Sequence, residues 1–293
     1  QKGVERITKA MMVCLLGIMI LLCIKSLTLP NASEGVKFYL LPDFERLKEN
    51  GLAQGIYAAM GQAFFTLSLG IGALAIFGSY IGKDRSLTGE AIQIGILDTF
   101  VALTAGLIIF PACFSFGVDQ TQGVGLVFVT LPNVFNQMTG GRFWGALFFI
   151  FMSFAALSTI IAVFENILNF AMELWGWSRK KAVLINGAAI LILSMPCVLG
   201  FNVWSGFQPF GPGSTIQDLE DFIISNNLLP IGSLVYLLFC VTRYGWSWKN
   251  FVAEADSGNG LKFPKWARPY LTFVLPLIVL IIFVMGYYDK FFS

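Results

Sequence analysis

The stretch "FFTLSLGIGALAIFGS", Phe64–Ser79, decides how this chain is read. It lies inside an apolar run, roughly 53–82, that is long enough to cross a membrane, since a spanning helix needs about 20 mostly apolar residues. Yet the run carries Thr66, Ser68 and two glycines, Gly70 and Gly72. A glycine in a helix interior costs about 1 kcal/mol relative to alanine. Close helix packing is one explanation, because small residues let helix backbones approach. Packing motifs space glycine by four, whereas these two are two apart and fall on different faces. A break over Ser68–Gly72 accounts for that spacing. Inside a membrane, freed N–H and C=O groups are tolerated only where they line a cavity or bind a ligand. The two half-helix ends then present opposite partial charges to a ligand near the bilayer midplane.

The rest of the chain supports a membrane setting. Of 293 residues, 56% are hydrophobic and 12% charged, with a mean hydropathy of +0.74; soluble domains carry about twice that charged fraction. Seven stretches are long and apolar enough to span, at roughly 9–28, 53–82, 91–117, 142–174, 181–200, 221–244 and 269–288. The expectation is an all-α polytopic membrane protein, a single transmembrane domain over 1–293. The run at 123–138 is too short to span and has Pro132 in its middle, so 119–141 reads as an extracellular helical hairpin. The segment 207–221 is a Pro/Gly-punctuated loop ending in acids before a helix start. With the N-terminus in the cytoplasm, thirteen of the nineteen Lys and Arg fall in inside loops, the bias expected for that orientation. The N-terminus is therefore expected in the cytoplasm and the C-terminus outside. A seven-helix receptor, with its external N-terminus, is disfavoured on the same ground.

Other classes are excluded by what is missing. The chain has no His, the commonest general base and metal ligand, and no paired catalytic acids, so no enzyme is expected. A net charge of +2 gives no reason to expect a nucleic-acid partner; membrane lipid is the surroundings it suits. The five cysteines lie in apolar runs without a CxxC pair and read as buried thiols acting as small hydrophobes. The opening "QKGVERITKA" reads as a cytoplasmic lead-in to a helix within a longer protein.

Two acids lie within spans, Asp98 in "IGILDTFVALTAG" and Glu165 in "IIAVFENILNF", with no intramembrane Lys or Arg expected to pair with either. Such groups are costly and mark functional sites. Hydrogen bonding to neighbouring backbone or hydroxyls is one reading of each. For Asp98 the sharper reading is a cation ligand, because hard cations prefer oxygen and a carboxylate offsets their charge. In "SFAALSTIIAVFEN", the Ala155 carbonyl and the Ser158 and Thr159 hydroxyls share one helix face and can converge on a small cation. Back-bonding of the hydroxyls to the preceding turn is the plainer reading.

These segments carry a family resemblance. "GQAFFTLSLGIG" resembles the unwound sixth helix of the neurotransmitter:sodium symporter family, in its bacterial amino-acid-transporter branch. "KGVERITK" resembles the entry to the fifth helix, "PDFERLK" the external segment before the sixth, "IFPACFSFG" the end of the seventh and "FAALSTIIAVFEN" the eighth. The resemblance runs from the fifth to the eleventh helix. It implies the second inverted repeat of the broken-helix (LeuT-like) fold plus flanking helices, in a bacterial inner membrane.

Roles follow position by position. Thr66 matches the sixth-helix ligand of the first sodium site, and Asp98 its seventh-helix ligand, where the family commonly has Asn. Ala155, Ser158 and Thr159 match the second sodium site. Phe65 resembles the aromatic that closes over the substrate, and Ser68 with the neighbouring backbone, Gly70 included, resembles the groups that hold its amine. Ile71, Thr159 and Val163 match the side-chain pocket, which favours a hydrophobic or aromatic amino acid. Glu165 falls where many members have Glu, near the inner gate. At the chloride position of the animal relatives stand Gln62, Thr66 and Asp98, but Ala102 replaces their Ser. The carboxylate of Asp98, one turn away, can supply the negative charge, so chloride is not expected to be required. The implied activity is sodium-coupled amino-acid symport by alternating access. Because the family's first four helices have no counterpart, a missing N-terminal segment or a companion chain is expected to complete the sites. The alternative is a truncated, non-transporting half-transporter.

Overall fold

The computed structural model describes residues 2–49, 51–79, 81–118 and 125–292. The architecture is all-helical. In order, the helices are α1 (Lys2–Leu27), α2 (Ala32–Leu40), α3 (Phe44–Glu49), α4 (Leu52–Thr66), α5 (Ala73–Ser79) and α6 (Leu87–Phe116). They continue as α7 (Leu131–Gln137, entered through a π-helical turn Leu126–Thr130), α8 (Gly141–Trp175) and α9 (Arg179–Gly200). Last come α10 (Ile216–Val241), α11 (Trp248–Ala255) and α12 (Ala267–Phe292). Six of these, α1, α6, α8, α9, α10 and α12, are long and apolar enough to cross a membrane. The seventh expected span, 53–82, is present as two shorter pieces, α4 and α5. Neither is long enough to span alone. Of the hairpin read at 119–141, residues 119–124 lie outside the described residues, and the described part is a single helical arm.

The chain divides into two compact units, 1–49 with 96–162 and 50–95 with 163–293. In the first, Leu15, Met19 and Leu22 of α1 pack with Ile108 and Cys113 of α6, Leu131 of α7 and Phe148 and Phe151 of α8. Leu15, Met19 and Leu22 on α1, and Phe148 and Phe151 on α8, stand one turn apart, which is how a helix buries a single stripe. The Ser26 hydroxyl donates to the Ile108 carbonyl at 2.6 Å, so its polar group is satisfied within this core. The short helix α2 lies directly on α6. A Cβ at Gly35 would sit 2.6 Å from the Pro111 Cα, and one at Gly106 would run into the Tyr39 ring. That ring stacks on Phe110 at 4.8 Å, and its hydroxyl donates to the Ala102 carbonyl at 3.3 Å. Burial pushes the Tyr39 phenol up, which keeps it a donor.

In the second unit, Phe64 of α4, Leu229 of α10 and Val279 and Ile282 of α12 form one core, with Leu168 and Ala171 of α8 and Ala182 of α9 forming another. Helix α10 opens on a capping box: the Thr215 hydroxyl accepts from the Asp218 N–H while the Asp218 carboxylate accepts from the Thr215 N–H. This satisfies two N–H groups left over at the helix start and ends the 207–221 loop where its acids stand. The connection before α6 is pinned to the segment after α11. The Asn259 N–H donates to the Asp84 carbonyl at 2.9 Å, and the Ser86 hydroxyl donates to the Leu261 carbonyl.

None of the five cysteines forms a disulfide among the described residues. Only Cys113 is fully buried, and Cys14 is exposed on α1, which corrects the reading of five buried thiols. An apolar stretch of a membrane helix need not face protein.

Candidate functional site

The break is where the sequence places it, and its geometry shows how it is made. At the end of α4 the Leu69 N–H donates to the Phe64 carbonyl at 3.1 Å and the Ser68 N–H to the Phe65 carbonyl at 3.0 Å. Ser68 sits at φ +50°. This crossed pair around a left-handed residue is a Schellman cap, completed by the apolar contact of Leu69 with the core around Phe64. Glycine is the usual residue at the left-handed position. A serine there costs of order 1–2 kcal/mol, the kind of backbone strain that collects at functional sites. The stop is therefore Ser68 itself, two residues before the first glycine.

Gly70 and Gly72, at φ +88° and +78°, carry the chain across α10. A Cβ on Gly70 would lie 2.7 Å from the Ser233 nitrogen and overlap the Leu229 carbonyl oxygen. From the other side, a Cβ on Gly232 would lie 2.8 Å from the Gly70 carbonyl carbon. A Cβ on Gly72 would meet the Tyr236 hydroxyl. The glycines thus serve both explanations weighed from sequence, left-handed backbone and close approach. Across the crossing the N–H groups of Gly70, Ile71 and Gly72, and the carbonyls of Leu69, Gly70 and Ile71, make no hydrogen bond among the described residues. Ile76 resumes the helix by donating to the Gly72 carbonyl at 3.1 Å.

The second constellation lies on α8. The Ser158 hydroxyl donates to the Ala155 carbonyl at 2.8 Å, and the Thr159 hydroxyl donates to the same oxygen at 3.1 Å. Three oxygens from Ala155, Ser158 and Thr159 are thereby gathered around one point, through the back-bonding that is the plainer reading of these hydroxyls. Each hydroxyl oxygen keeps lone pairs for a cation. The donor set, two neutral hydroxyls and one carbonyl, suits a hard monovalent ion. Among the described residues no group of three or more Cys, Asp or Glu could hold a metal.

The other expected site residues are less gathered. Thr66 ends α4 and Asp98 lies in α6, in different units. Phe65, 55% exposed, lines a cleft of about 400 Å³ with Tyr57, Gln62, Asp221 and Asn226. Ser68 and Gly70 line a separate, apolar cavity of about 650 Å³ with Ser233 and Tyr236. Within the second unit, then, the aromatic and the amine-holding residues border different spaces. Thr159 and Val163 lie one turn apart on α8, and Ile71 and Val163 are both over a third exposed.

Glu165 corrects one expectation. It is paired: the two guanidinium nitrogens of Arg179 donate to its two carboxylate oxygens at 2.9 and 2.7 Å. Arg179 is the first residue of α9 and stands just outside the span expected at 181–200. The tight turn after α8 brings it back along the preceding helix. The bidentate fork is the strong form of this interaction. The α2–α6 seat and the Ser68 cap were also missed. Glycines 35 and 106 were the only signal for the former.

The comparisons with known proteins agree with this architecture. The YhdH sodium-dependent transporter of Bacillus subtilis (strain 168) is 37% identical over 287 residues, 97% of this chain and 62% of YhdH. A sodium-dependent transporter of Haemophilus influenzae is 34% identical, over 96% of this chain and 60% of its own length. The crystal structure of MhsT in complex with L-phenylalanine superposes with a TM-score of 0.83 at 40% identity, covering 98% of this chain and 63% of MhsT. The chain thus spans less than two thirds of the length of these relatives. The family they represent consists of multi-pass membrane transporters, not enzymes. Its model, the sodium:neurotransmitter symporter family, matches residues 1–290, and this chain belongs to that family.

Proposed function

We propose that this chain carries one share of the binding site of a sodium-coupled amino-acid symporter that works by alternating access. The break at Ser68–Gly72 is the observation that carries the reading. Six backbone groups without a hydrogen-bond partner among the described residues, at membrane depth on this reading, are stable only against a ligand or a cavity. The carbonyl end of α4 is negative and suits an amine or a sodium ion. Thr66 and Asp98 contribute to a first sodium site. Ala155, Ser158 and Thr159 contribute to a second, where an ion replaces the hydroxyl back-bonds to Ala155.

Phe65, Ser68, Gly70, Ile71, Thr159 and Val163 face the substrate, which we read as hydrophobic or aromatic. Support comes from the apolar character of Ile71 and Val163 and from MhsT, solved with L-phenylalanine. The chain is read as the fifth to eleventh helices, the second inverted repeat with its flanks, in a bacterial inner membrane with the N-terminus inside. The other share of each site then lies on residues beyond this chain, in keeping with the 62% of YhdH that it spans. Chloride is not required.

The test is uptake of labelled phenylalanine by the full-length protein in proteoliposomes, under a sodium gradient and under a matched potassium gradient. Uptake is expected with sodium alone. Equal uptake in both would overturn the proposal.

A further inference from the structure

The seat of the break on α10 has a second property. Ser233 carries a buried hydroxyl that makes no hydrogen bond among the described residues, and it lines the apolar cavity together with Ser68, Gly70 and Tyr236. A serine inside a membrane helix ordinarily donates to the carbonyl four residues earlier, here Leu229. That carbonyl and the Ser233 nitrogen are the two atoms on which Gly70 presses. The break therefore rests on the one helical turn of α10 whose serine has not used its hydroxyl. Gly70 stands against this turn, and the carbonyls of Leu69, Gly70 and Ile71 likewise have no hydrogen-bond partner among the described residues. A buried, unsatisfied hydroxyl beside a segment whose carbonyls also lack a partner among the described residues is a rare combination in one state of a protein. It is accounted for if a second state joins them.

We propose that Gly232 and Ser233 are positioning residues for the unwound segment. Gly232 leaves the Gly70 carbonyl its seat on α10. The Ser233 hydroxyl donates to a carbonyl of Leu69–Ile71 when the segment tightens around ligand. The register of the break, and with it the aim of Thr66 and Ser68, is set from α10. This rests on the proposed sodium-coupled reading for its kinetic consequence, but not for its structural one.

Two variants of the full-length protein test it, with Gly17→Ala as control because a Cβ there meets nothing within 4 Å. Gly232→Ala pushes on the Gly70 carbonyl and is expected to raise the sodium concentration for half-maximal uptake at least tenfold. Ser233→Ala is the sharper variant. It removes only a hydroxyl that has no partner here, so an idle serine predicts unchanged transport and an unchanged or higher melting temperature. The positioning role predicts an unchanged or higher melting temperature with half-saturating sodium raised at least fivefold, and recovery to within twofold in Ser233→Thr. Hydrogen exchange supplies a readout independent of transport. In saturating sodium and phenylalanine, the amides of residues 67–72 are expected to exchange at least fivefold faster in Ser233→Ala than in the parent. Unchanged sodium dependence and unchanged exchange in Ser233→Ala would overturn the proposal. A parent protein lacking sodium-driven uptake would instead overturn the symport reading, leaving the exchange comparison to decide this one.

Discussion

Glu165 and Arg179 show what a carboxylate in a membrane helix needs. Glu165 retains 19% of its side-chain exposure and Arg179 44%, so the pair is only partly shielded and its net worth is about 1 kcal/mol. The arginine also begins α9, where the helix dipole disfavours a cation, and the carboxylate offsets this. A double-mutant cycle of Glu165→Gln and Arg179→Gln, read from melting in detergent, is expected to give a coupling near that 1 kcal/mol; additive effects would show the fork to be idle. Arg179→Lys is expected to recover less than half of it, because a lysine cannot present two parallel donors. Asp98 is a different case, the carboxylate proposed above for the first sodium site. Asp98→Ala is expected to abolish sodium-driven uptake while leaving the full-length protein folded. An unchanged sodium dependence would remove Asp98 from the first site.

At the scale of elements, small residues decide which surfaces meet. Gly35 lets α2 rest on the Phe110–Pro111 backbone of α6, and backbone cannot yield as a side chain can. Gly35→Ala is therefore expected to destabilise by about 1–3 kcal/mol, visible as a lower melting temperature, whereas Gly17→Ala should not move it beyond its propensity effect. The sequence shows the long helices plainly, because 20 apolar residues leave few alternatives to a span. It also shows that the helix at 53–82 breaks, since glycines two apart would fall on different faces of a continuous helix. It does not show how. The stop is a Schellman cap on Ser68, and a serine in the left-handed position is chosen by tertiary contacts, here Leu69 on Phe64 and Gly70 on α10. Likewise, "ALST" on α8 marks three oxygens on one face, but their meeting at the Ala155 carbonyl is a matter of rotamers. Arg179 was misread for a related reason: a loop position says nothing of how far a long side chain reaches back along the preceding helix.

For the whole molecule, the symport reading raises the question of how the charge of the sodium ions is balanced. Asp98 and Ala102 are one turn apart on α6, in the same unit. Ala102 offers an anion no hydroxyl, and its carbonyl accepts from Tyr39. A chloride about 5 Å from an ionised Asp98 would meet a repulsion of roughly 3 kcal/mol at an effective dielectric of 20. That is more than a hundredfold in affinity, before the missing hydroxyl is counted. On the proposed reading, the carboxylate of Asp98 takes the place of the anion at the chloride position that the sequence resembles in the animal relatives. Replacing chloride by gluconate is expected to leave sodium-driven uptake of the full-length protein within twofold. A tenfold loss would show that an anion is needed after all. The converse is sharper. Asp98→Asn with Ala102→Ser removes the carboxylate and supplies a hydroxyl, so the double variant is expected to recover sodium-driven uptake only when chloride is present. Asp98→Asn alone should stay inactive in both salts, since it has lost the charge without gaining the hydroxyl that would hold its replacement.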